Sequence, residues 1–333
     1  MHAQPNIQYP LHRPRRVRQS AMFRRLTQEH TLTCNDLVYP IFIHEEKEKA
    51  AIPSLPGQYR HGERSLLSIL EQAQAYKIPA IALFPVINTA YKTEDAKACY
   101  DPNGLVPRTI QYIKQHAPEI AVITDVALDP YTSHGQDGLL NPHGEIVNDA
   151  TVQVLVEQAL CHARAGADVV APSDMMDGRI GQIRQALERE DHTNVQIIAY
   201  SAKYASGLYG PFRDAVGSAS NLGQADKNSY QMHIANSDEA LREVSLDIAE
   251  GADIVMIKPA SFYLDIIQRV KQQFAFPTFA YQVSGEYTML ELTANQGYID
   301  RDQAILESLL SIKRAGADAI FTYFALDVAK MLS

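Results

Sequence analysis

Two short stretches place a lysine where an apolar run stops. IVMIKPASF (254–262) is apolar up to Lys258 and then meets Pro259, and VQIIAYSAKYAS (195–206) delivers Lys203 in the same way. An amine in a partly dry pocket loses its proton more readily, because burial disfavours the charged form and a second ammonium repels the first. A neutral amine is the nucleophile that forms a Schiff base. The two stretches therefore indicate amine chemistry on a carbonyl compound.

Eight short apolar runs recur along the chain, with helical patterns between them. They are LVYPIFI (37–43), AIALFPV (80–86), AVITDVAL (121–128), AGADVVAPS (165–173), VQIIAYS (195–201), EGADIVMIKPA (250–260), PTFAYQVS (277–284) and AGADAIFTYF (315–324). Three of them share the order helix, glycine, buried strand, which is typical of a βα repeat. We predict that Asp149, Ser237 and Asp300 cap helices.

Eight strands that alternate with helices predict an α/β protein, a (β/α)8 TIM barrel with an extended N-terminal arm. An open, doubly wound sheet is the competing fold, but no G-x-G-x-x-G follows an early strand. The polar, arginine-rich residues 1–35 form the predicted arm and 36–333 the catalytic barrel. The irregular segment at about 205–232 is too long for an ordinary βα loop, so we predict a lid over the barrel mouth.

Barrel enzymes carry reactive groups at the C-terminal ends of their strands. Lys203 and Lys258 end the fifth and sixth predicted strands, which are neighbours at roughly 5 Å in a barrel. Both side chains then reach one space. The alternative is that each lysine only neutralises nearby carboxylates. The other strand ends supply Asp125, Asp129, Ser173, Asp174, Ser284 and Tyr323.

Composition excludes several classes of protein. The 333 residues carry a formal charge of −9, which gives no general attraction to nucleic acid or anionic lipid. No run of about 18 or more apolar residues exists to span a membrane. The three cysteines are scattered and odd in number, which fits a reducing compartment. We expect a cytoplasmic protein whose basic arm contacts a neighbouring subunit rather than nucleic acid.

Longer motifs resemble a known family. The stretches SAKYASGLYGPFRDA, IVMIKPASFYLDII, APSDMMDGRI, DVALDPYTSHGQDG and YQVSGEYTML are similar to those of the 5-aminolevulinate dehydratases, or porphobilinogen synthases. The match runs from the arm to the closing FTYFALDVAK. The resemblance implies condensation of two 5-aminolevulinate molecules per site to porphobilinogen in tetrapyrrole (haem) biosynthesis. It also implies a homo-oligomer, an octamer of arm-embraced dimers.

The resemblance also implies roles for individual residues. Lys258 in MIKPA would form the Schiff base with the substrate that becomes the propionate-bearing half. Lys203 in SAKYAS would engage the second substrate. Ser284 and Tyr323 would hold the carboxylate of the first.

Arg213 and Lys227 would bind the other carboxylate, with Gln231 beside them, since an arginine fork and a lysine compensate a carboxylate when a lid excludes water. The remaining pocket walls would be Tyr209, Tyr281, Phe212, Ser173 and Asp125.

The stretch DVALDPYTSHGQDG departs from the zinc-dependent members of the family. Where those carry three cysteines, this chain has Ala127, Asp129 and Asp137. Thiolates select zinc, whereas carboxylates suit magnesium. We therefore expect no catalytic zinc and assign the chain to the aspartate-rich branch. Asp129 and Asp137 either hold an ion during turnover or hydrogen-bond the substrate amine.

Glu243 in EALREVSLDI matches the family residue that binds an allosteric Mg²⁺ near a subunit boundary, largely through water. From the residues alone, Glu243 belongs to a solvated helix face. One carboxylate is chemically sufficient, because magnesium keeps several of its waters.

Two rival functions remain. A class I aldolase would use one Schiff-base lysine and a phosphate site, but the glycine-rich phosphate loops expected after strands seven and eight are missing. A non-catalytic barrel that binds a keto acid and signals through its arm is the other.

Overall fold

A computed structural model of the chain describes residues 8–217 and 226–333. Within them the strands are β1 Leu37–Ile43, β2 Ala50–Ala51, β3 Tyr59–His61, β4 Ala80–Pro85, β5 Ala121–Val126, β6 Val169–Pro172, β7 Gln196–Lys203, β8 Ile254–Lys258, β9 Thr278–Tyr281 and β10 Ala319–Phe321. The α-helices are α1 Ala21–Leu26, α2 Glu63–Ala75, α3 Leu105–His116, α4 Asn148–Ala165, α5 Arg179–Arg189, α6 Gly210–Ala215, α7 Asp238–Glu250, α8 Leu264–Phe274, α9 Ser284–Asn295, α10 Arg301–Ala315 and α11 Ala325–Leu332.

Eight parallel strands of the described chain close into a barrel. The order is β1, β4, β5, β6, β7, β8, β9 and β10, and β10 pairs back onto β1 with Leu37 opposite Ile320. The predicted (β/α)8 TIM barrel is confirmed, and the open sheet is excluded because both of its edges would stay unpaired. Strand β3 adds in parallel to the end of β1, and β2 pairs antiparallel with β3.

The barrel strands are apolar on both faces. Every residue of β1 and of β4 is buried, because one face of each strand fills the barrel and the other packs under the helices. Strands covered on both faces read as continuous apolar runs rather than alternating ones. This is why short apolar runs identified all eight strands.

The three repeated G-A-D stretches perform one structural task. Gly166, Gly251 and Gly316 end α4, α7 and α10 with φ of 103°, 104° and 119°, a backbone region that favours glycine. The aspartate two residues later accepts a hydrogen bond from the backbone of the preceding barrel strand. The bonds are Val122 N to Asp168 Oδ2 (2.7 Å), Ile197 N to Asp253 Oδ2 (2.7 Å) and Thr278 N to Asp318 Oδ2 (2.8 Å). Each repeat thus joins consecutive strands at the rim opposite the lysines.

The predicted helix caps have mixed outcomes. Asp300 caps α10, since its side chain accepts a hydrogen bond from the backbone of Gln303. Ser237 stands at the N-cap of α7, but its hydroxyl accepts from Arg269 instead of capping the helix. The prediction for Asp149 is wrong, because α4 begins one residue before it and Asp149 lies in the first turn.

The described part of the N-terminal segment lies largely exposed on this single chain. It contains a 3-10 helix, Pro14–Arg18, and α1, neither of which has a buried residue. Tyr9, Leu11 and Leu26 are 78%, 72% and 78% exposed. The arm boundary at residue 35 stays a prediction. Among the described residues, no helix has both the length and the apolar character needed to cross a membrane.

We predict that Gly285→Ala destabilises the barrel. A Cβ there would lie 2.5 Å from the carbonyl oxygen of Leu208 and 2.8 Å from its Cα, so backbone would have to move. Overpacking of this kind costs about 1–3 kcal/mol of the free energy of unfolding. The matched control is Gly207→Ala, where the new Cβ would meet nothing within 4 Å. Chemical denaturation measures both variants, and equal stability of the two would contradict the prediction.

Candidate active site

The two lysines lie side by side because β7 contains a bulge. The registered pairs are Ala199–Val255, Ala202–Ile257 and Lys203–Lys258. Three steps along β7 therefore match two along β8, so one residue of β7 is extra. In an unbroken register Lys258 would stand opposite Ala202, and Lys203 would point to the other face of the sheet. The bulge puts both amines on one face at the barrel mouth.

The amine of Lys258 is enclosed by aromatic rings. Its Nζ lies 4.6 Å from the ring centre of Tyr281, and 5.1, 5.2 and 5.3 Å from those of Tyr200, Phe212 and Tyr209. The residue is only 6% exposed. Among the described residues no carboxylate forms an ion pair with this amine. Ring faces attract a cation by about 0.5–2 kcal/mol, which does not replace the lost hydration of an ammonium.

Burial, joined by the charge of Lys203, lowers the pKa of the Lys258 amine to about 7. The carboxylates of Asp125, Asp129 and Asp137 act in the opposite direction but do not outweigh these two effects. A large share of Lys258 is therefore neutral near pH 7. This is the form that attacks a ketone.

Asp125 is the carboxyl group whose charge acts most strongly on this amine, although the two groups form no ion pair. It lies on β5, and burial raises its pKa to about 7, although the charge of Lys258 opposes the rise. Its Oδ1 is buried and finds no hydrogen-bond partner among residues 8–217 and 226–333. An acid and an amine that titrate in the same range can exchange a proton without a large energy difference.

Lys203 occupies a polar environment. Its Nζ donates a hydrogen bond to the carbonyl oxygen of Ser173 and lies 3.8 Å from Asp137 Oδ2. Lys227 Nζ lies 3.1 Å from Asp129 Oδ2 and 3.1 Å from Asp137 Oδ2. All five residues are buried. The two amines of the pair thus differ: Lys258 faces rings, and Lys203 faces oxygen atoms.

The pKa values of the two carboxylates around Lys227 shift in opposite directions. Burial and the charge of Asp137 raise the pKa of Asp129, despite the opposing charge of Lys227. Burial also acts to raise the pKa of Asp137, but the charges of Lys203 and Lys227 outweigh it and hold that pKa below its usual range. In the described chain no group of three or more histidine, cysteine or acidic side chains is arranged to hold a metal ion. Lys227 already supplies a cation to the acid pair.

Three hydroxyl groups come from the C-terminal ends of β9 and β10 and from the start of α9. Tyr281 and Tyr323, from β9 and the residues after β10, have their hydroxyl oxygens 3.1 Å apart. Ser284, the first residue of α9, accepts a hydrogen bond from the backbone N–H of Phe212 (2.9 Å) and donates to the carbonyl of Leu208 (3.3 Å). Ser284 thus contacts the segment that carries Phe212, and Tyr323 contacts Tyr281, whose ring faces Lys258.

The predicted lid of about 205–232 falls partly outside the described residues, which omit 218–225. On its first side, α6 carries Phe212 and the half-buried Arg213. On its second side, Gln231 is buried, and Met232 donates its N–H to the carbonyl of Lys203 (3.0 Å). Both described sides of the lid are therefore attached to strand ends that bear the site.

Glu243 lies outside the lysine pocket, half-buried on α7. It lines a groove of about 770 Å³ together with Asp177, Glu239 and Glu145. Burial, followed by the charges of nearby acids, raises the pKa of Glu243. Gln231 lines the same groove, so the groove reaches the described end of the lid.

Comparison with known proteins assigns a family to this constellation. The sequence model of the family "Delta-aminolevulinic acid dehydratase" matches residues 11–331. The chain belongs to this family. The dehydratase of Bradyrhizobium diazoefficiens is 52% identical to this chain over 321 residues, which cover 96% of this chain and 90% of that protein. The dehydratase of Rhodobacter capsulatus is 47% identical over 325 residues, which cover 97% of each protein. A crystal structure of the delta-aminolevulinic acid dehydratase (porphobilinogen synthase) of Toxoplasma gondii, in complex with the reaction product porphobilinogen, superposes with a TM-score of 0.95 at 47% identity, covering 98% of this chain and 92% of that one.

Two features of this dehydratase-family chain escaped the sequence prediction. Tyr200 faces Lys258 because of the bulge, and apolar patterning alone assigned it to the strand interior. Arg179 forms a buried double hydrogen bond with Asp247 on α7, and it also donates to the carbonyl of Tyr200 (3.3 Å). A signal existed for Asp247, since it occupies a position of the apolar stripe of α7, after Ala240 and Val244. A charge in such a stripe indicates a buried ion pair.

The pH dependence of amine reactivity tests the environment of Lys258. Labelling of Lys258 by a small keto acid such as levulinate, followed by borohydride reduction and peptide mapping, should increase with pH with a midpoint at about 7. The increase follows from deprotonation, because only the neutral amine adds to a ketone. Surface Lys97 is the internal control, since a hydrogen bond to Asp95 raises its pKa. Parallel labelling profiles for Lys258 and Lys97 would refute the assigned environment.

Proposed function

We propose that this chain condenses two molecules of 5-aminolevulinate to porphobilinogen, with loss of water, in tetrapyrrole biosynthesis. The observation that carries the proposal is the in-register pair of Lys203 and Lys258, in which burial lowers the pKa of Lys258 to about 7. Membership of the dehydratase family supports the same reaction.

Lys258 performs the first covalent step. Its neutral amine adds to the ketone of the molecule that becomes the propionate-bearing half, and the resulting carbinolamine loses water to form a Schiff base. Asp125, with a pKa raised to about 7, donates the proton that the departing hydroxyl needs and recovers one from the nitrogen. The ring wall around Nζ keeps bulk water away from the imine.

Lys203 engages the second molecule. Because Lys203 and Lys258 are register partners on adjacent strands, ketones held by the two amines meet at the distance of neighbouring strands, roughly 5 Å. Holding both reactants in one geometry turns a bimolecular condensation into an intramolecular one. Carbon–carbon and carbon–nitrogen bond formation then follow, with proton transfers at the lysines.

Two groups of side chains orient the substrates. Ser284 and Tyr323 hold the carboxylate of the first molecule. Support comes from Tyr323, whose hydroxyl lies 3.1 Å from that of Tyr281, a ring that faces Lys258. Arg213 and Lys227 hold that of the second, with Gln231 beside them. Gln231 is buried, and its side-chain amide N–H groups can donate to that carboxylate.

Asp129 and Asp137 complement the amino group of 5-aminolevulinate, which is a cation near neutral pH. In this structure Lys227 forms an ion pair with each of the two acids. When Lys227 turns to a substrate carboxylate, the substrate ammonium replaces it between the same oxygens. The ammonium of the zwitterionic substrate then pairs with Asp129 and Asp137, and its carboxylate pairs with Lys227.

The metal requirement follows from the donor chemistry. Ala127, Asp129 and Asp137 provide no thiolate, so the proposed reaction uses no catalytic zinc. Glu243 is the proposed ligand of an allosteric Mg²⁺. The groove beside it, which Asp177 and Glu239 also line, has room for the waters that magnesium retains, so Glu243 is the one protein ligand proposed. Bound there, the ion would neutralise the acids of the groove.

The proposed assembly is a homo-octamer of dimers in the cytoplasm. Support comes from the exposed apolar residues of the N-terminal segment, since Tyr9, Leu11 and Leu26 are mostly uncovered on a single chain. A second subunit that packs against this segment would bury them.

Product formation tests the proposed reaction. Protein incubated with 5-aminolevulinate and Mg²⁺ should yield a pyrrole that an aldehyde reagent detects. Lys258→Ala should lower the rate by roughly 10³-fold or more, as expected when a covalent nucleophile is removed. Lys97→Ala, an exposed lysine, is the matched control. Borohydride trapping by a sugar phosphate but not by 5-aminolevulinate would instead favour a class I aldolase, and a fully active Lys258→Ala variant would reject the mechanism.

The proposed metal use predicts opposite responses to two treatments. A zinc-selective chelator should leave turnover unchanged, because the site offers carboxylates where a zinc site needs thiolates. Glu243→Gln should raise the Mg²⁺ concentration for half-maximal activation, and the Kd for Mg²⁺ in calorimetry, by roughly tenfold, in line with loss of a ligand. Asp238→Asn, on the exposed start of the same helix, is the control. Loss of activity that only zinc restores would contradict this prediction.

A further inference from the structure

The hairpin formed by β2 and β3, outside the barrel, contacts α6, the helix at the start of the predicted lid. Arg60 donates from Nε to the carbonyl of Ala215 (2.7 Å) and from Nη2 to the carbonyl of Asp214 (2.8 Å). Ser54, in the loop of the same hairpin, donates from its hydroxyl to the carboxylate of Asp214 and lies 3.3 Å from the carbonyl of Pro211. Four oxygen acceptors of α6, three backbone carbonyls and one carboxylate, thus receive contacts from Ser54 and Arg60. Each contact joins residues more than 150 positions apart in the chain.

Arg60 is itself rigidly placed. It lies on β3, where it pairs with Phe42 of barrel strand β1 on one side and with Ala50 of β2 on the other. Backbone pairing on both sides fixes the direction from which its side chain leaves the strand. The guanidinium therefore holds α6 at a fixed position relative to barrel strand β1.

Helix α6 depends on such contacts because it has only six residues. A helix this short is unstable alone, and the last carbonyls of any helix have no partner within it. A planar guanidinium with parallel N–H donors fits two consecutive carbonyls better than an ammonium does. At the other half of α6, the N–H of Phe212 donates to Ser284 Oγ, and its ring packs edge-on against Phe84 at 5.3 Å.

The residues between these two attachments belong to the site. Phe212 contributes one of the rings around Lys258, at 5.2 Å from Nζ, and Arg213 is the next residue. A rotation of α6 would move both at once. We propose that Arg60, assisted by Ser54, is a positioning residue that sets α6 so that Arg213 meets the carboxylate of the second substrate. This inference rests on the proposed function, in which Arg213 binds that carboxylate.

Replacement of Arg60 tests the proposal. Arg60→Ala should raise KM for 5-aminolevulinate by roughly tenfold, because two hydrogen bonds from a charged donor to α6 are lost and Arg213 is then less well positioned. The value of kcat should change much less, since both lysines and the rings of Tyr200 and Tyr281 around Lys258 lie on barrel strands and stay in place. Arg60→Lys should restore only part of the affinity, as an ammonium cannot serve both carbonyls in the same way. Arg64→Ala, an exposed arginine four residues on that pairs with Glu48, is the matched control and should keep the KM of the unmodified protein.

A double-mutant cycle with Arg213→Ala separates positioning from general stability. If Arg60 acts through Arg213, Arg60→Ala should add almost nothing to the KM increase that Arg213→Ala causes alone. Fully additive effects would overturn the proposal, as would an unchanged KM in Arg60→Ala. If Arg60→Ala fails to fold, the cycle is run with Ser54→Ala and Arg60→Lys, for which a roughly threefold, non-additive increase in KM is expected from loss of a single hydrogen bond.

A trapping assay distinguishes failure of this inference from failure of the proposed function. Borohydride trapping of one 5-aminolevulinate on Lys258 should persist in Arg60→Ala, since the first capture does not use Arg213. If the unmodified protein neither traps the substrate nor forms the pyrrole, the proposed function itself is wrong. If it does both while Arg60→Ala has an unchanged KM, only the positioning role is wrong.

Discussion

Removal of the Lys258 amine from water is the physical constraint that organises this site. Aromatic rings on strands β7 and β9 and on α6 surround the amine, and the neighbouring Lys203 adds a like charge. A buried ammonium without an ion pair is costly, so the amine becomes neutral near physiological pH. Lys203, by contrast, faces the carbonyl of Ser173 and the carboxylate of Asp137. Two identical side chains on adjacent strands thus acquire different chemistry from their surroundings.

The acid cluster beside the amines has a second consequence. Asp129 and Asp137 share Lys227, and Lys203 lies 3.8 Å from Asp137 Oδ2, so two carboxylates face two amines before a substrate arrives. Buried ion pairs contribute little net stability, but removal of one member leaves a costly unpaired charge. A zwitterionic substrate can exchange partners with such a cluster without leaving any charge unpaired. The arrangement therefore favours a small molecule with both an ammonium and a carboxylate over a simple keto acid.

Much of the architecture could be predicted from patterns in the chain. Continuous apolar runs identified the eight barrel strands, because parallel strands are covered on both faces. The G-A-D repeats marked three helix ends, although the backbone hydrogen bonds of their aspartates could not be read from spacing. The cap assigned to Asp149 was wrong because α4 already begins at Asn148, so Asp149 lies in its first turn. The clamp of Arg60 on α6 joins residues more than 150 positions apart, and no local pattern reports such a contact.

The sequence by itself determined the fold class, the two lysines at adjacent strand ends and the family, since each of these depends on local residue patterns and long motifs. Only the tertiary structure decided that the lysines share a face. A side chain on a strand changes face with every residue, so one extra residue in β7 separates a lysine pair from two lysines on opposite faces. The pKa of Lys258 is likewise tertiary, because it depends on which rings and charges the closed barrel brings around the amine.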